Sequence, residues 1–436
     1  MINRVLLYLC ESRSKGEHIT SATILSVSAS GIAALTSFFL AWVLGADVFG
    51  LYSLTLSVSG IVGVPMLMSL NFVMYQDLPR SKNPDRSSLI ATSIVCLFTL
   101  MMVVLTVGFV ATPWLARLIG VESTTFRLGI TLATGTSANL LTESLLRGLN
   151  RFAFAALLKL ITVFSYLLYC IGQYFLDHNL NSGSYIEGLI ALDILVSLIM
   201  VAATRFDIRS ASRKTAAHLL QHGSYMSVIS LLATVLFSID VIFLNYWSNH
   251  ADVGTYSVYS GLSRGLLGVI VTDGMGFVLL PLFATMIKPA LLAKLRQISL
   301  FLGAATFAVA FIGTSLFLWV LHARYSYSAL YVFLTALGVA IHTIYNIHYF
   351  AISMDGVRGA KWILVILSST LPIAVGIQVI LIRCFALKGA LIAFICTNGI
   401  ILIFTLIVEL HVYVTTHLPA TSEALDQDKG QPDAQD

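Results

Sequence analysis

The sequence predicts an all-α polytopic membrane protein, with twelve transmembrane helices in two six-helix lobes related by pseudo-two-fold symmetry. Three observations predict it. The 436-residue chain is 58% hydrophobic and only 11% charged, against roughly 25% charge in a water-soluble domain, so it could not cover a water-facing surface. Apolar stretches of about 20 residues, enough to cross the hydrocarbon core, recur along the whole chain with short connections. Finally, Ala46-Asp47-Val48-Phe49-Gly50-Leu51-Tyr52-Ser53 returns near mid-chain as Ala251-Asp252-Val253-Gly254-Thr255-Tyr256-Ser257. With one residue deleted, six of eight positions match, which points to duplicated halves, the architecture of many transporters.

The expected spans are 20–44, 51–74, 88–111, 125–146, 153–176, 185–204, 223–247, 255–281, 298–321, 328–350, 362–382 and 389–412. They divide the chain into a first lobe, 1–204, an inter-lobe linker, 205–222, a second lobe, 223–412, and a tail, 413–436. From Thr421 onward the tail is polar and aperiodic and is expected to be disordered. The apolar run Val5–Leu9 is too short for a signal-peptide core, so the first span is expected to direct insertion.

Orientation follows from Lys and Arg in the loops. The N-terminus, the loops after even-numbered spans and the tail carry 18 basic residues, and the opposite loops carry four, Arg117, Arg324, Arg383 and Lys388. Both termini are therefore expected on the cytoplasmic side. Trp42, Trp114, Trp247 and Trp319 close odd-numbered spans and Trp362 opens the eleventh, all at the depth of an aromatic belt.

A charge at the bilayer centre costs several kcal/mol, so charges inside spans mark places to examine. Arg264 lies about nine residues into span eight, roughly 14 Å deep. Asp240 lies at similar depth in the adjacent span seven. The two form either a structural ion pair or an anion-binding arginine held by a carboxylate. Glu143 and Lys159 form a second pair, read as structural. Asp193 and Asp273 have no evident local partner and are proton-coupling candidates. His342, with Asn346 one turn later, is read as a satisfied core histidine. Arg127, Glu187 and Glu409 lie near span ends and are assigned to the headgroup region. Gly261 and Gly265 form a GxxxG face suited to helix packing, and span one is rich in Ser and Thr, as suits a wet cavity.

Other chemistry is excluded by what is missing. No GxxxxGK[ST] loop, HExxH or GxSxG occurs, and no loop is long enough for a catalytic domain, so the chain is not expected to be an enzyme. The five cysteines, Cys10, Cys96, Cys170, Cys384 and Cys396, have no metal-site or redox spacing. No cofactor, metal or nucleic-acid partner is expected; coupling to a proton or sodium ion is the open possibility.

Leu44-Gly45-Ala46-Asp47-Val48-Phe49-Gly50-Leu51-Tyr52-Ser53 resembles the "LGxxxFGxYS" hallmark of O-antigen-type lipid-linked oligosaccharide flippases, within the multidrug/oligosaccharidyl-lipid/polysaccharide exporter superfamily. Leu146-Arg147-Gly148-Leu149-Asn150-Arg151-Phe152 resembles the family's basic turn between spans four and five. Ser238-Ile239-Asp240 followed by Val253-Gly254-Thr255-Tyr256-Ser257 resembles its second-half pattern. The resemblance implies a MATE-like fold with a central cavity. It also implies alternating-access transfer of undecaprenyl-diphosphate-linked oligosaccharide across a bacterial inner membrane for O-antigen, capsule or exopolysaccharide, with a polymerase and a chain-length regulator as partners. Arg264 would hold the diphosphate or acidic sugars. The chain departs from the pattern at Ala41-Trp42-Val43 and at Val241, where relatives carry basic residues, which implies a less positive cavity. The alternative in the same superfamily is a cation-coupled drug exporter; a glycan polymerase or ligase is a more distant one. The hallmark Gly and Tyr are expected to set tight outer turns.

Overall fold

The computed structural model describes residues 13–81, 85–177, 180–204, 206–261, 288–321, 324–353 and 355–414. Arg264, Gly265, Asp273, Pro281 and the tail beyond 414 lie outside these.

Eleven α-helices and no strands occur among the described residues. They are α1 (Arg13–Leu67), α2 (Leu70–Asp77), α3 (Asp85–Leu118), α4 (Ser123–Gly148), α5 (Phe152–Asp177), α6 (Ser182–Thr204), α7 (Arg213–Trp247), α8 (His250–Tyr256), α9 (Lys288–Val320), α10 (Ala329–Ser353) and α11 (Gly356–Val408). Eight stretches are long and apolar enough to cross a membrane. Expected span four is helical as α4 but is rich in buried Thr and Ser and is not among the eight. Most of expected span eight lies outside the described residues.

Two of the eight are double. Gly45, at φ 69°, interrupts α1 between expected spans one and two, and Ala386, at φ 46°, interrupts α11 between spans eleven and twelve. Positive φ suits glycine, which lacks Cβ. Beyond Ala386 the chain folds back closely: a Cβ on Gly389 would lie 1.9 Å from the Leu381 carbonyl oxygen. At the other end of α1, Met68 and Ser69 are both left-handed (φ 45° and 50°), and this break redirects the chain into α2. Left-handed residues also end α3 and α4. Gly120 (φ 66°) and Asn150 (φ 61°) occupy the second position after each helix, and the following N–H reaches back to Ala116 O and Leu146 O, both at 2.9 Å.

The outward-facing surface is hydrocarbon-like. Phe98, Val103, Val107, Val110 and Trp114 form an exposed stripe on α3, and Phe301, Val309, Ile312, Leu316 and Trp319 form one on α9. Such helices satisfy their backbone internally and bury these faces only against lipid. Arg127 and Glu187 are exposed, as headgroup-level residues would be.

The basic loops are bound together at one face. Arg151 donates to Ala203 O (2.7 Å) and Arg358 to Val412 O (3.4 Å), and Ser87 and Ser210 share a hydrogen bond of 3.0 Å. The 206–212 segment is fastened to α3, with the Ser212 N–H donating to Thr92 (3.0 Å). Helix α7 begins directly after it at Arg213, inside the expected linker.

Candidate functional site

The first-half and second-half helices meet on a seam formed by α1, α7 and α8. At the face opposite the basic loops, the two hallmark copies touch reciprocally. A Cβ on Gly50 would lie 1.9 Å from His250 O and 3.0 Å from Gly254 N. A Cβ on Gly254 would lie 1.8 Å from Ala46 O and 3.0 Å from Gly50 N. Gly50 and Gly254 are repeat mates, and each meets the carbonyl four residues before the other, so the contact is reciprocal. The turn role expected for these glycines is therefore corrected. Gly45 makes the turn, whereas Gly50 and Gly254 are helical and let two backbones approach. Further bonds close this end of the seam. Asn245 donates to Gly120 O (2.8 Å) and Tyr325 donates to Ala41 O (3.1 Å). Burial pushes the Tyr325 phenol well above its usual pKa, keeping it a donor.

Immediately inside this contact lies a cavity of about 400 Å³. The fold-back at Gly45 brings both arms of α1 onto it. Ser30, Ala33, Ala34 and Ser37 come from the first arm, and Phe49, Tyr52, Ser53, Leu56 and Ser57 from the second. Both sets follow helical i, i+3, i+4, i+7 spacing, so each is one face. The second half contributes Phe237 and Val241 from α7, and Tyr256, Ser257, Ser260 and Gly261 at the end of α8. Tyr52 and Tyr256, and Ser53 and Ser257, are repeat mates facing each other. The chain from Ser257 to Gly261 is a π-helical turn, a distortion frequent at functional sites. No described atom lies within 4 Å of a Cβ built on Gly261, and its expected packing mate Gly265 lies outside the described residues. Among the described residues the lining has no charge and is rich in hydroxyls.

Behind the lining, the two tyrosines are held differently. Tyr256 donates to Asp240, whose other oxygen accepts the Val241 N–H at 2.8 Å. Tyr52 bonds Tyr166 (3.2 Å), which donates to Tyr185 O (3.1 Å). Asp240 is 2% exposed and stands one layer behind the cavity.

The remaining sequence-derived positions are dispersed. Asp193 on α6 has a partner after all: Asn139 on α4 donates to it at 2.8 Å. Glu143 pairs with Arg147, one turn along its own helix; Lys159 is half-buried on α5. His342 bonds Asn398 of α11 at 2.7 Å and stacks edge-on against the lining residue Phe237 with centroids 5.2 Å apart.

Glu409 is corrected more substantially. It is fully buried, at 0% exposure, not at the headgroups. His348 Nδ1 lies 2.5 Å from its carboxylate and His348 Nε2 lies 2.8 Å from Ser299 Oγ. No described group bonds the second carboxylate oxygen, Oε2. A signal existed: spans ten and twelve run in the same direction, and His348 and Glu409 lie at matching depth near their ends.

On the other side of the second arm of α1 is a groove of about 610 Å³. Val58, Val62, Pro65, Val104, Ile130 and Leu231 are among its walls, and Ser227 is the one hydroxyl among its described lining residues.

Residues 16–271 match the family described as polysaccharide biosynthesis protein. Comparison with curated proteins gave no match. Several solved structures share the fold. A MOP superfamily transporter from Pyrococcus furiosus aligns over 90% of this chain and 94% of its own at 14% identity, with a TM-score of 0.60. The outward-facing form of a multidrug resistance MATE family transporter gives 0.61 at 13% identity, over 89% and 94%. The lipid II flippase MurJ in an inward closed conformation gives 0.63 at 11% identity, over 88% and 87%. With the matched model covering more than half of the chain, this multi-pass membrane protein belongs to the polysaccharide biosynthesis protein family and has the fold of MOP superfamily transporters.

Proposed function

We propose that the protein is a flippase for polyprenyl-diphosphate-linked oligosaccharide repeat units, transferring them from the cytoplasmic to the outer leaflet of a bacterial inner membrane by alternating access of its two lobes. One observation carries this reading: a neutral, hydroxyl-lined cavity and an apolar groove lie back to back on the same arm of α1. A lipid-linked sugar has the same two-part chemistry. Serine hydroxyls exchange hydrogen bonds with sugar hydroxyls, and the groove suits hydrocarbon. A drug exporter selecting cations would be served by carboxylates at the cavity wall, and the described lining has none.

The basic face is assigned to the cytoplasm by the positive-inside rule, and the Gly50–Gly254 contact then closes the outer end. Arg264, three residues past the lining residue Gly261 in sequence, is assigned to the diphosphate. Asp193, with Asn139, is assigned to proton or sodium coupling, and O-antigen, capsule or exopolysaccharide assembly, with its polymerase and chain-length regulator, to the pathway. The test is accumulation of substrate in cells. Arg264→Ala, or Ser57→Phe which fills the cavity, should accumulate lipid-linked repeat units on the cytoplasmic side while the protein remains in the membrane. Normal surface glycan in both variants would overturn the reading.

A further inference from the structure

Asp77, His218 and His222 meet at the basic face, outside the membrane-spanning part of the chain. One ligand atom from each lies within 4.8 Å of the other two. His218 Nε2 is 3.1 Å from Asp77 Oδ2, and the two imidazole centroids are 6.0 Å apart. The histidines are one helical turn apart on α7, so both project from one face, while Asp77 is the last residue of α2.

The fold positions these groups from both sides. The left-handed pair Met68 and Ser69 turns α2 away from the axis of α1 and lays its end along α7. Gly223, next to His222, lets α7 approach closely: a Cβ there would lie 2.5 Å from Met68 O. Ser69 bonds both Ser230 (3.2 Å) and Ser227 (3.3 Å) on α7. The cluster is thus framed by a backbone contact and two hydroxyl bonds within a few residues.

We propose that Asp77, His218 and His222 form a divalent transition-metal site, with zinc as the fitting ion, that pins the amino end of α7 to the carboxyl end of α2. Two imidazoles and one carboxylate are a borderline donor set suited to zinc and poorly suited to magnesium or calcium, which require more oxygens. Water completes the tetrahedron at this half-open position. Because the ligands come from two helices that meet at the seam between halves, bound metal stabilises the arrangement in which that seam is closed. The metal site itself does not depend on the transported substrate.

Calorimetric titration of the full-length, chelator-stripped protein in detergent with zinc chloride tests it. The expected result is one zinc per chain, with no comparable heat from magnesium. His222→Ala and Asp77→Asn should each weaken binding by at least about tenfold, the scale that even outer-shell partners contribute. His222→Cys, which keeps a ligand atom, should retain it, and His411→Ala should not alter it. Zinc should also raise the unfolding temperature of the parent protein and not that of His222→Ala. Absence of saturable zinc binding, or equal binding by the parent, His222→Ala and Asp77→Asn, would overturn the proposal.

Discussion

Adding one methyl group to the hallmark glycines is expected to open the end of the protein opposite the basic loops. In Gly50→Ala the new Cβ would stand 1.9 Å from His250 O, and ordinary contact begins at 3.4 Å, so α1 and α8 must separate by about 1.5 Å there. The opposing atom is backbone carbonyl in a helix and cannot rotate aside. Overpacking of this kind costs about 1–3 kcal/mol. Charged wholly to the closed state, that shifts the open-to-closed ratio by about 5- to 150-fold. Gly254→Ala meets Ala46 O at 1.8 Å and should act alike. Since one separation relieves both clashes, the double variant should shift the ratio by less than the product of the single effects. Double electron–electron resonance between spin labels at the exposed positions Asp47 and Asn249, in lipid nanodiscs, reads the separation directly. A longer-distance population is expected in each single variant. An unchanged distance distribution in folded Gly50→Ala and Gly254→Ala would show that this contact does not hold the two helices together.

Other outcomes follow from the buried polar groups. Tyr256→Phe removes the phenol donor from buried Asp240 and should destabilise the protein by about 1–3 kcal/mol, measured as thermal unfolding in detergent; unchanged stability would contradict the contact. His348→Ala leaves Glu409 buried beside an emptied partner site and should cost about 3–5 kcal/mol, whereas replacing both residues by apolar ones should recover much of that. Asp193→Asn is expected to preserve insertion while removing the dependence of transport on an imposed ion gradient; equal dependence in parent and variant would exclude Asp193 as the coupling group. Arg151→Ala loses the bond to Ala203 O and should loosen the turn between α4 and α5, seen as faster amide exchange there than in the parent.

Much of the fold was legible in the chain because its two strongest signals are repetitive. Span length is set by the bilayer, and the hallmark repeat marks the pseudo-two-fold directly. The cavity was half legible: the Ser-rich first span does face it through Ser30 and Ser37, since small hydroxyl residues on one helical face have little reason to meet lipid. The glycines were misread because a glycine in a tight turn and a glycine under a crossing backbone look identical in one dimension. Gly45 is the first kind, and Gly50 and Gly254 are the second. Local pairing was also misleading. Asp193 finds Asn139 two helices earlier, and Glu409 finds His348 across the second half. Sequence neighbours do not reveal such partners; matching depth across non-adjacent spans does. Asp77, His218 and His222 are inconspicuous in the sequence because they lie outside the apolar spans where a charge stands out.

As proposed above, this chain by itself carries a lipid-linked sugar across a bilayer. Purified protein reconstituted into liposomes containing a polyprenyl-diphosphate-linked oligosaccharide measures this most directly, by the rate at which the sugar becomes reachable by an enzyme or lectin added outside. Parent protein should accelerate that appearance far above protein-free liposomes, and Ser57→Phe, reconstituted to the same density, should not. Equal rates with parent protein, with Ser57→Phe and without protein would contradict the claim.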